Sequence, residues 1–140
     1  MDSRLYKKMT FVFLLFPLFF LTVSCFKQEE TKKEISFEIC KETELPDELR
    51  KIIEEKKEEP FRFTYENSAY LYLAVGYGIQ PEGEYVVCVE SLAESEKTLY
   101  VDTVLISLSH GTNRKIGMPS SYPYVVLRCK KNGKRAVFLS

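Results

Sequence analysis

Three residues in the second half of the chain have the chemistry of a hydrolase triad. His110 is the only histidine, Asp102 precedes it by eight positions, and Ser120 follows it. A hydrolase needs such a base, an orienting acid and a nucleophile within hydrogen-bond reach of one another. The sequence has no GxSxG nucleophile elbow, no HExxH motif and no phosphate-cradling glycine loop. We therefore predict that His110 is a loop residue with a solvent-facing or capping role and that the chain is not an enzyme.

A fourth reactive side chain, the thiol of Cys25, follows a segment with the pattern of a signal peptide. Three basic residues lie between positions 4 and 8, and an uncharged apolar run extends from 11 to 23. A transmembrane helix needs about 20 apolar residues, and this shorter run also contains Pro17. We expect a signal peptide here rather than a membrane-spanning anchor.

The residues Leu21-Thr22-Val23-Ser24-Cys25 resemble the bacterial lipobox, in which apolar or small residues precede an acceptor cysteine. The thiol of such a cysteine is a nucleophile that can be linked to diacylglycerol, and the lipid then holds the protein at a membrane. The alternative is an ordinary secretory signal with a coincidental cysteine. We predict that residues 1–24 are removed and that lipid on Cys25 anchors the chain in the cell envelope. Phe26, in place of an aspartate, favours the outer membrane or the cell surface, while a periplasm-facing anchor and the choice between inner and outer membrane stay open.

Removal of the signal peptide changes the charge balance of the chain. It takes three basic residues and one acidic residue from the balanced 20 and 20, which leaves 17 Lys and Arg against 19 Asp and Glu, a net charge of −2. A chain with this balance is not expected to bind nucleic acid. The remaining 116 of the 140 residues fit one domain. No cofactor and no small-molecule substrate are indicated.

Three further cysteines, Cys40, Cys88 and Cys129, leave the disulfide state open. An odd number outside the cytoplasm allows one disulfide with one free thiol, or no disulfide at all. Cys88 and Cys129 lie in apolar runs, where a free cysteine behaves as a small hydrophobic residue. The sequence has no CxxC motif and no Cys/His cluster, so we predict no metal site.

The mature chain divides into a tether and a domain. Residues 25–33 are mostly polar and charged, which is typical of a flexible tether, and we place a single globular domain at 34–140. Residues 35–39 alternate apolar with polar side chains, as a half-buried strand does. A helix is predicted to open at Pro46 and to end before Pro60. Its apolar stripe consists of Leu49, Ile52 and Ile53.

Beyond Phe61 the sequence predicts a succession of strands, at 70–77, 84–90, 98–107, 124–129 and 135–139. Short links join them, and Asn132-Gly133 is the strongest hairpin signal among these links. Short links favour antiparallel neighbours, because a parallel pair needs a crossover of a dozen or more residues. We predict an α+β domain with one N-terminal amphipathic helix packed on an antiparallel sheet of about five to six strands. The alternative is an all-β sandwich with a peripheral helix.

The segment 70–139 resembles the C-terminal domain of the PrcB family. The matching residues are Leu73-Ala74-Val75-Gly76-Tyr77-Gly78, Gln80-Pro81 with Gly83 and Tyr85, Leu99-Tyr100-Val101, and Tyr122-Pro123-Tyr124-Val125-Val126 running to Val137-Phe138. The segment departs from the family pattern at Pro81-Glu82-Gly83-Glu84-Tyr85, where the family commonly has Pro-Thr-Gly-Gly-Tyr. If the paired glycines serve a close backbone approach, Glu84 puts that role in question here.

The resemblance implies a lipoprotein that binds and helps to stabilise a subtilisin-type protease of the dentilisin kind in a cell-surface complex. Such an accessory subunit has no catalysis of its own. Two other functions stay open. One is a protease inhibitor, in which residues 76–83 or the loop 110–121 enter the active-site cleft of the protease. The other is a structural lipoprotein of the envelope.

The connection between the first two strands of this segment is the candidate partner-binding site. Its residues are Gly76, Tyr77, Gly78, Gln80, Pro81, Gly83 and Tyr85. Glycine lets another backbone come close, and tyrosine is enriched at interface hot spots. Glu82 and Glu84 add negative charge that suits a basic partner surface. We expect the two tyrosines to be exposed; the alternatives are a plain turn for the glycines and core packing for the tyrosines, and then the loop 112–122 is the next candidate.

Overall fold

The computed structural model describes residues 29–81, 83–108 and 119–140 of the chain. Within these ranges the elements in chain order are β1 (Lys33–Glu34), β2 (Glu38–Ile39), a 3-10 helix (Glu42–Glu44), α1 (Asp47–Lys56), β3 (Pro60–Glu66), β4 (Tyr70–Tyr77), β5 (Tyr85–Glu94), β6 (Thr98–Ser107), β7 (Tyr124–Lys130) and β8 (Arg135–Phe138). No helix in the described ranges is long and apolar enough to cross a membrane. The predicted signal peptide and Cys25 lie outside the described residues.

The eight strands of the described residues form two four-stranded sheets. The outer sheet has the order β1-β5-β6-β8, and the central sheet has the order β2-β7-β4-β3. Neighbouring strands are antiparallel except β6 and β8, which are parallel. At one edge the chain passes directly from β1 of the outer sheet to β2 of the central sheet. At the opposite edge the two sheets end in β8 and β3.

The central sheet is covered on both faces, and β4 is its most deeply buried strand. All residues from Leu71 to Gly76 are buried, although successive side chains of a strand point to opposite faces. Leu73 and Val75 pack into a core between the two sheets. Tyr72 and Ala74 pack into a second core beneath helix α1. A strand that is covered on both faces is apolar at nearly every position, which explains the run LYLAVG.

Helix α1 covers the side of the central sheet that faces away from the outer sheet. Leu49 and Ile53 are 0% and 1% exposed, and their spacing of four residues places them on one side of the helix. Pro46 precedes the helix, and the first turn carries Asp47 and Glu48, where acidic side chains are favourable near the positive end of the helix dipole. The structure thus contains the predicted amphipathic helix, with two of the three stripe residues fully buried.

The predicted hairpin at Asn132-Gly133 is wrong. The turn itself forms, since Gly133 has a φ of 67° and the Asn132 side chain accepts a hydrogen bond of 3.1 Å from the Lys134 backbone. However, β7 already has β2 and β4 as neighbours, so its flanks are occupied. The chain therefore crosses to the outer sheet, where β8 pairs parallel to β6 and places Ala136 and Phe138 against the core between the sheets.

The fold is mostly β and only roughly the α+β domain that the sequence predicts. The helix is not N-terminal, because β1 and β2 precede it, and the described residues form eight strands in two sheets rather than five or six in one. The strand predicted at 35–39 is present only at its end, as β2, and β1 precedes it. Strand β3 was not predicted, although Phe61, Phe63 and Tyr65 alternate with other residues along it. The sheet-on-sheet packing agrees with the alternative of a sandwich with a peripheral helix. The division of the chain into signal peptide, tether and domain stays a prediction.

Candidate functional site

The candidate binding segment, residues 76–85, connects β4 of the central sheet to β5 of the outer sheet at one end of the sandwich. The segment that leads into β7 lies directly beside it. Gln80 donates a backbone hydrogen bond of 2.8 Å to the Ser121 carbonyl, and Ser121 returns one of 3.1 Å to the Gln80 carbonyl. We call the described residues 76–81, 83–85 and 119–123 the loop end. It joins the first candidate segment to the described part of the second, the loop 112–122.

The backbone of the loop end is held by hydrogen bonds from three directions. Besides the pair with Ser121, the Ile79 amide donates to the Glu58 carbonyl at 3.0 Å and the Tyr77 amide donates to the Pro123 carbonyl at 3.1 Å. The Gln80 side chain closes the turn by donating to the Tyr77 carbonyl at 3.0 Å. The segment after β4 is therefore fixed against the α1–β3 turn and against the start of β7.

Ile79 is a candidate residue that the sequence patterns did not single out. Its backbone is bonded to Glu58, yet its side chain is 52% exposed. A large apolar side chain held in water on a fixed backbone is a suitable anchor for a protein partner. The sequence does contain a sign of this role. Ile79 lies between Gly78 and Gln80, after the end of the predicted strand, so burial within a sheet does not account for an apolar residue there.

Gly76 and Gly78 are needed by the fold itself. Gly76 is buried, and a Cβ atom there would lie 2.3 Å from Cε1 of Phe61 on the neighbouring strand β3. Gly78 has a φ of 72°, in the left-handed region, and a Cβ atom there would lie 2.9 Å from Cδ of Pro60. Both glycines let residues of β3 lie close to the backbone at the end of β4 and directly after it. This packing within the chain accounts for the two glycines without a binding partner.

Tyr77 is half-buried, whereas the sequence predicts an exposed side chain. Its ring packs against the core between the sheets, because it continues the alternation of Leu73 and Val75 along β4. Its hydroxyl shares a hydrogen bond of 2.9 Å with Thr103, which is 3% exposed and shares one of 2.8 Å with Ser140. Tyr77 thus ties the end of the central sheet to the outer sheet.

Tyr85 remains the better aromatic candidate of the two. It is half-buried at the start of β5, and its hydroxyl donates only a long hydrogen bond of 3.4 Å to the Pro81 carbonyl.

Charged side chains also lie near the loop end. Glu84 and Glu58 are exposed, while Lys57 forms an ion pair with Glu54 at 2.7 Å. The hydrogen bond from Lys57 to Glu54 raises the pKa of Lys57 above its ordinary value. The described charges around the loop end are mixed, because the Lys57 ammonium also lies 5.2 Å from the centre of the Tyr122 ring. The exposed Glu58 and Glu84 are the acidic groups that would suit a basic partner. Gly83 lies half-buried between these features, and Glu82 is outside the described residues.

The structure describes two of the three residues that could form a hydrolase triad. Asp102 lies on β6 opposite Ser91 of β5, on the face of the outer sheet that points away from the core. Ser120 is exposed at the loop end. His110 lies outside the described residues. Among the described residues, no group of three His, Cys, Asp or Glu side chains is arranged to hold a metal ion.

The three described cysteines have free thiols. Cys129 is buried between the sheets, and Cys40 packs beside the core beneath α1. Burial raises the pKa of both thiols, so both are protonated and weakly nucleophilic at neutral pH. Cys88 lies on the uncovered side of the outer sheet, opposite Val104.

Comparison with known protein families gives a match to part of the chain. The family model described as PrcB C-terminal matches residues 71–130, which confirms the resemblance over that segment. The matched residues include nearly all of β4 to β7 and the whole segment 76–85, while α1, β3 and β8 lie outside the match. Comparison with curated proteins and with solved structures found no match.

The substitution Gly76→Ala tests whether this glycine serves packing or partner binding. We expect it to lower the free energy of unfolding by about 1–3 kcal/mol, because the added methyl group collides with the Phe61 ring in a filled core. Urea denaturation followed by circular dichroism measures the loss. The double variant with Phe61→Leu makes room for the methyl group, so its loss should be smaller than the sum of the two single losses. Unchanged stability of Gly76→Ala would contradict the packing role.

Proposed function

We propose that this chain is a lipid-anchored, non-catalytic accessory subunit of a subtilisin-type protease complex at the cell surface, because residues 71–130 match the family model described as PrcB C-terminal. The family match is the observation that carries the proposal. It makes a protease-associated lipoprotein the expected role, and the lipobox-like sequence before Cys25 supplies the means of attachment. The subunit would hold the protease at the envelope and lengthen its lifetime.

The loop end supports protein binding in particular. Its backbone is fixed before a partner arrives, so little conformational entropy is lost on binding. Ile79 and Tyr85 supply apolar and aromatic area, and Glu58 and Glu84 supply negative charge at the rim. A protease surface with an apolar pocket ringed by Lys or Arg would be complementary to this arrangement.

Lipid attachment is tested by Cys25→Ser. We expect this variant to lose labelled palmitate and to leave the membrane fraction, because the acceptor thiol is gone. Cys88→Ser is the matched control, since it removes a thiol from the folded domain and should keep both label and membrane association. Labelled palmitate in Cys25→Ser would show that another residue carries the lipid, or that the anchor is of another kind.

Partner binding is tested by recovering the tagged, lipidated chain from its native membranes and identifying what comes with it by mass spectrometry. We expect a subtilisin-type protease. The variants Ile79→Ala and Tyr85→Ala should each retain roughly 30-fold less of it, because a hot-spot side chain contributes about 2 kcal/mol. Lys51→Ala, on the exposed side of α1, is the matched control and should retain it fully.

The recovered protease also separates an accessory subunit from an inhibitor. With the chain present, the protease should keep its turnover of a peptide substrate and remain active for longer. Slower turnover would identify an inhibitor instead. If the anchored chain is recovered without any protease, the proposal is contradicted. The remaining interpretation is then a structural lipoprotein of the envelope.

A further inference from the structure

One large face of the fold has no cover within the described residues. The central sheet is covered by α1 on one side and by the outer sheet on the other, but the second side of the outer sheet faces solvent. We call this second side the open face. The register pairs Val86 with Ile106 and Cys88 with Val104, and these four side chains point away from the core. A half-buried antiparallel sheet usually carries polar residues on its solvent side.

The exposed apolar residues concentrate at one end of the open face. Val86 and Ile106 are 39% and 40% exposed, and Leu108, which continues the alternation of β6, is 53% exposed. The Leu108 amide donates to the Glu84 carbonyl at 2.8 Å, so this residue is held in line with the sheet. Asp102 lies farther along the same face, which makes the face amphipathic rather than wholly apolar.

The N-terminal part of the described chain is fastened to the other end of the same face. Tyr100 is paired with Ala93 and points to the open side. Its hydroxyl donates a hydrogen bond of 2.9 Å to the Glu30 carboxylate, and the Lys32 ammonium lies 4.1 Å from the centre of its ring. The pairing of β1 with β5 follows directly in the chain. We call residues 29–34 the strap.

The strap limits how far the open face can be from a lipid on Cys25. Glu30 is five residue steps from Cys25 along the chain, and an extended chain advances at most about 3.6 Å per step, so the span is at most about 18 Å. A small protein domain is about 30 Å across. The remaining chain is therefore too short for another domain to lie between the anchor and the point where the strap meets Tyr100.

We propose that the open face of the outer sheet lies against the bilayer at the level of the lipid headgroups, with the strap setting this orientation. The inference rests on the proposed lipid anchor. Val86, Ile106 and Leu108 would meet the boundary between headgroups and acyl chains, while the charged side of α1 points away from the membrane. The strap carries three glutamates, at positions 29, 30 and 34, against two lysines, at positions 32 and 33, and Glu96 lies beside it. Zwitterionic lipid therefore suits this face better than anionic lipid.

Tryptophan fluorescence tests the orientation cleanly, because the sequence contains no tryptophan. One variant carries Ile106→Trp on the open face. The matched variant carries Lys51→Trp on the exposed side of α1. Each lipidated full chain is reconstituted into phosphatidylcholine vesicles with and without bromine on the acyl chains. We expect bromolipid to quench the tryptophan at position 106 at least threefold more than the tryptophan at position 51. Val86→Trp provides a second reporter if Ile106→Trp does not fold.

Releasing the strap is the second half of the test. The double variant Glu30→Ala/Lys32→Ala loses both contacts with Tyr100, while β1 stays paired with β5. The free tether then lengthens from five to eight residue steps, by at most about 11 Å, and the quenching at position 106 should fall by at least half. Equal quenching at positions 106 and 51 would overturn the orientation. Unchanged quenching in the strap variant would overturn the role of the strap.

Two further readouts distinguish contact with the bilayer from self-association and from loss of the anchor. Shielding of position 106 from aqueous iodide without quenching by bromolipid would mean that a second copy of the chain covers the open face, and this would overturn the proposal. Flotation with the vesicles reports on the anchor separately from the orientation. A chain that does not float has no lipid anchor, which defeats the proposed function. If the chain floats with the vesicles but quenching is equal at positions 106 and 51, the lipid anchor is present and only the proposed orientation is wrong.

Discussion

The burial of the central sheet on both faces is the constraint on which the rest of the structure depends. Residues 71–76 of β4 are apolar at nearly every position because neither face meets water. One face therefore requires α1, and the other requires the outer sheet. Gly76 follows from the same constraint, since the Phe61 ring of the adjacent strand occupies the space of its missing side chain. Each of these layers contributes apolar burial that the others cannot replace.

This constraint also shows that the folded unit is larger than the matched family segment. The match at 71–130 includes β4 and β7 but not the helix that covers them, nor the edge strands β3 and β8. Leu49 and Ile53 complete the core beneath α1, and Phe138 packs against the core between the sheets.

In the proposed arrangement the domain, which consists of α1, the central sheet and the outer sheet, has two binding surfaces. The loop end binds a protease, and the open face lies against the bilayer. They meet where Leu108 bonds to Glu84, so a bound protease would be held close to the membrane.

Periodicity in the sequence was sufficient for the longer elements and insufficient for how they assemble. The strands β4 to β7 and the helix were predicted from their patterns. The predicted strand at 35–39 is only partly formed, as β2, and the seven-residue strand β3 was not predicted. The Asn132-Gly133 turn forms as its residues predict, but the choice of partner for β8 depends on which strands already flank β7. The pairing partner of β8 is therefore decided by the assembled sheets, and the residues around the turn do not indicate it.

The candidate site shows the same division. The sequence located the loop end, and its glycines and tyrosines were visible, but their roles depended on neighbours far along the chain. The Phe61 ring occupies the space beside Gly76, and Tyr77 is half-buried because its ring packs against the core and its hydroxyl bonds to Thr103. Ile79 was overlooked because its exposure results from the backbone hydrogen bonds that Glu58 and Ser121 make with the loop.

The burial of the central sheet on both faces can be tested by hydrogen–deuterium exchange of the intact chain, resolved by peptide mass spectrometry. The amides of β4 and β7 should exchange more slowly than all others, through global unfolding only. Faster exchange in β4 than in the β5–β6 hairpin would show that the outer sheet forms the stable centre and would contradict this account.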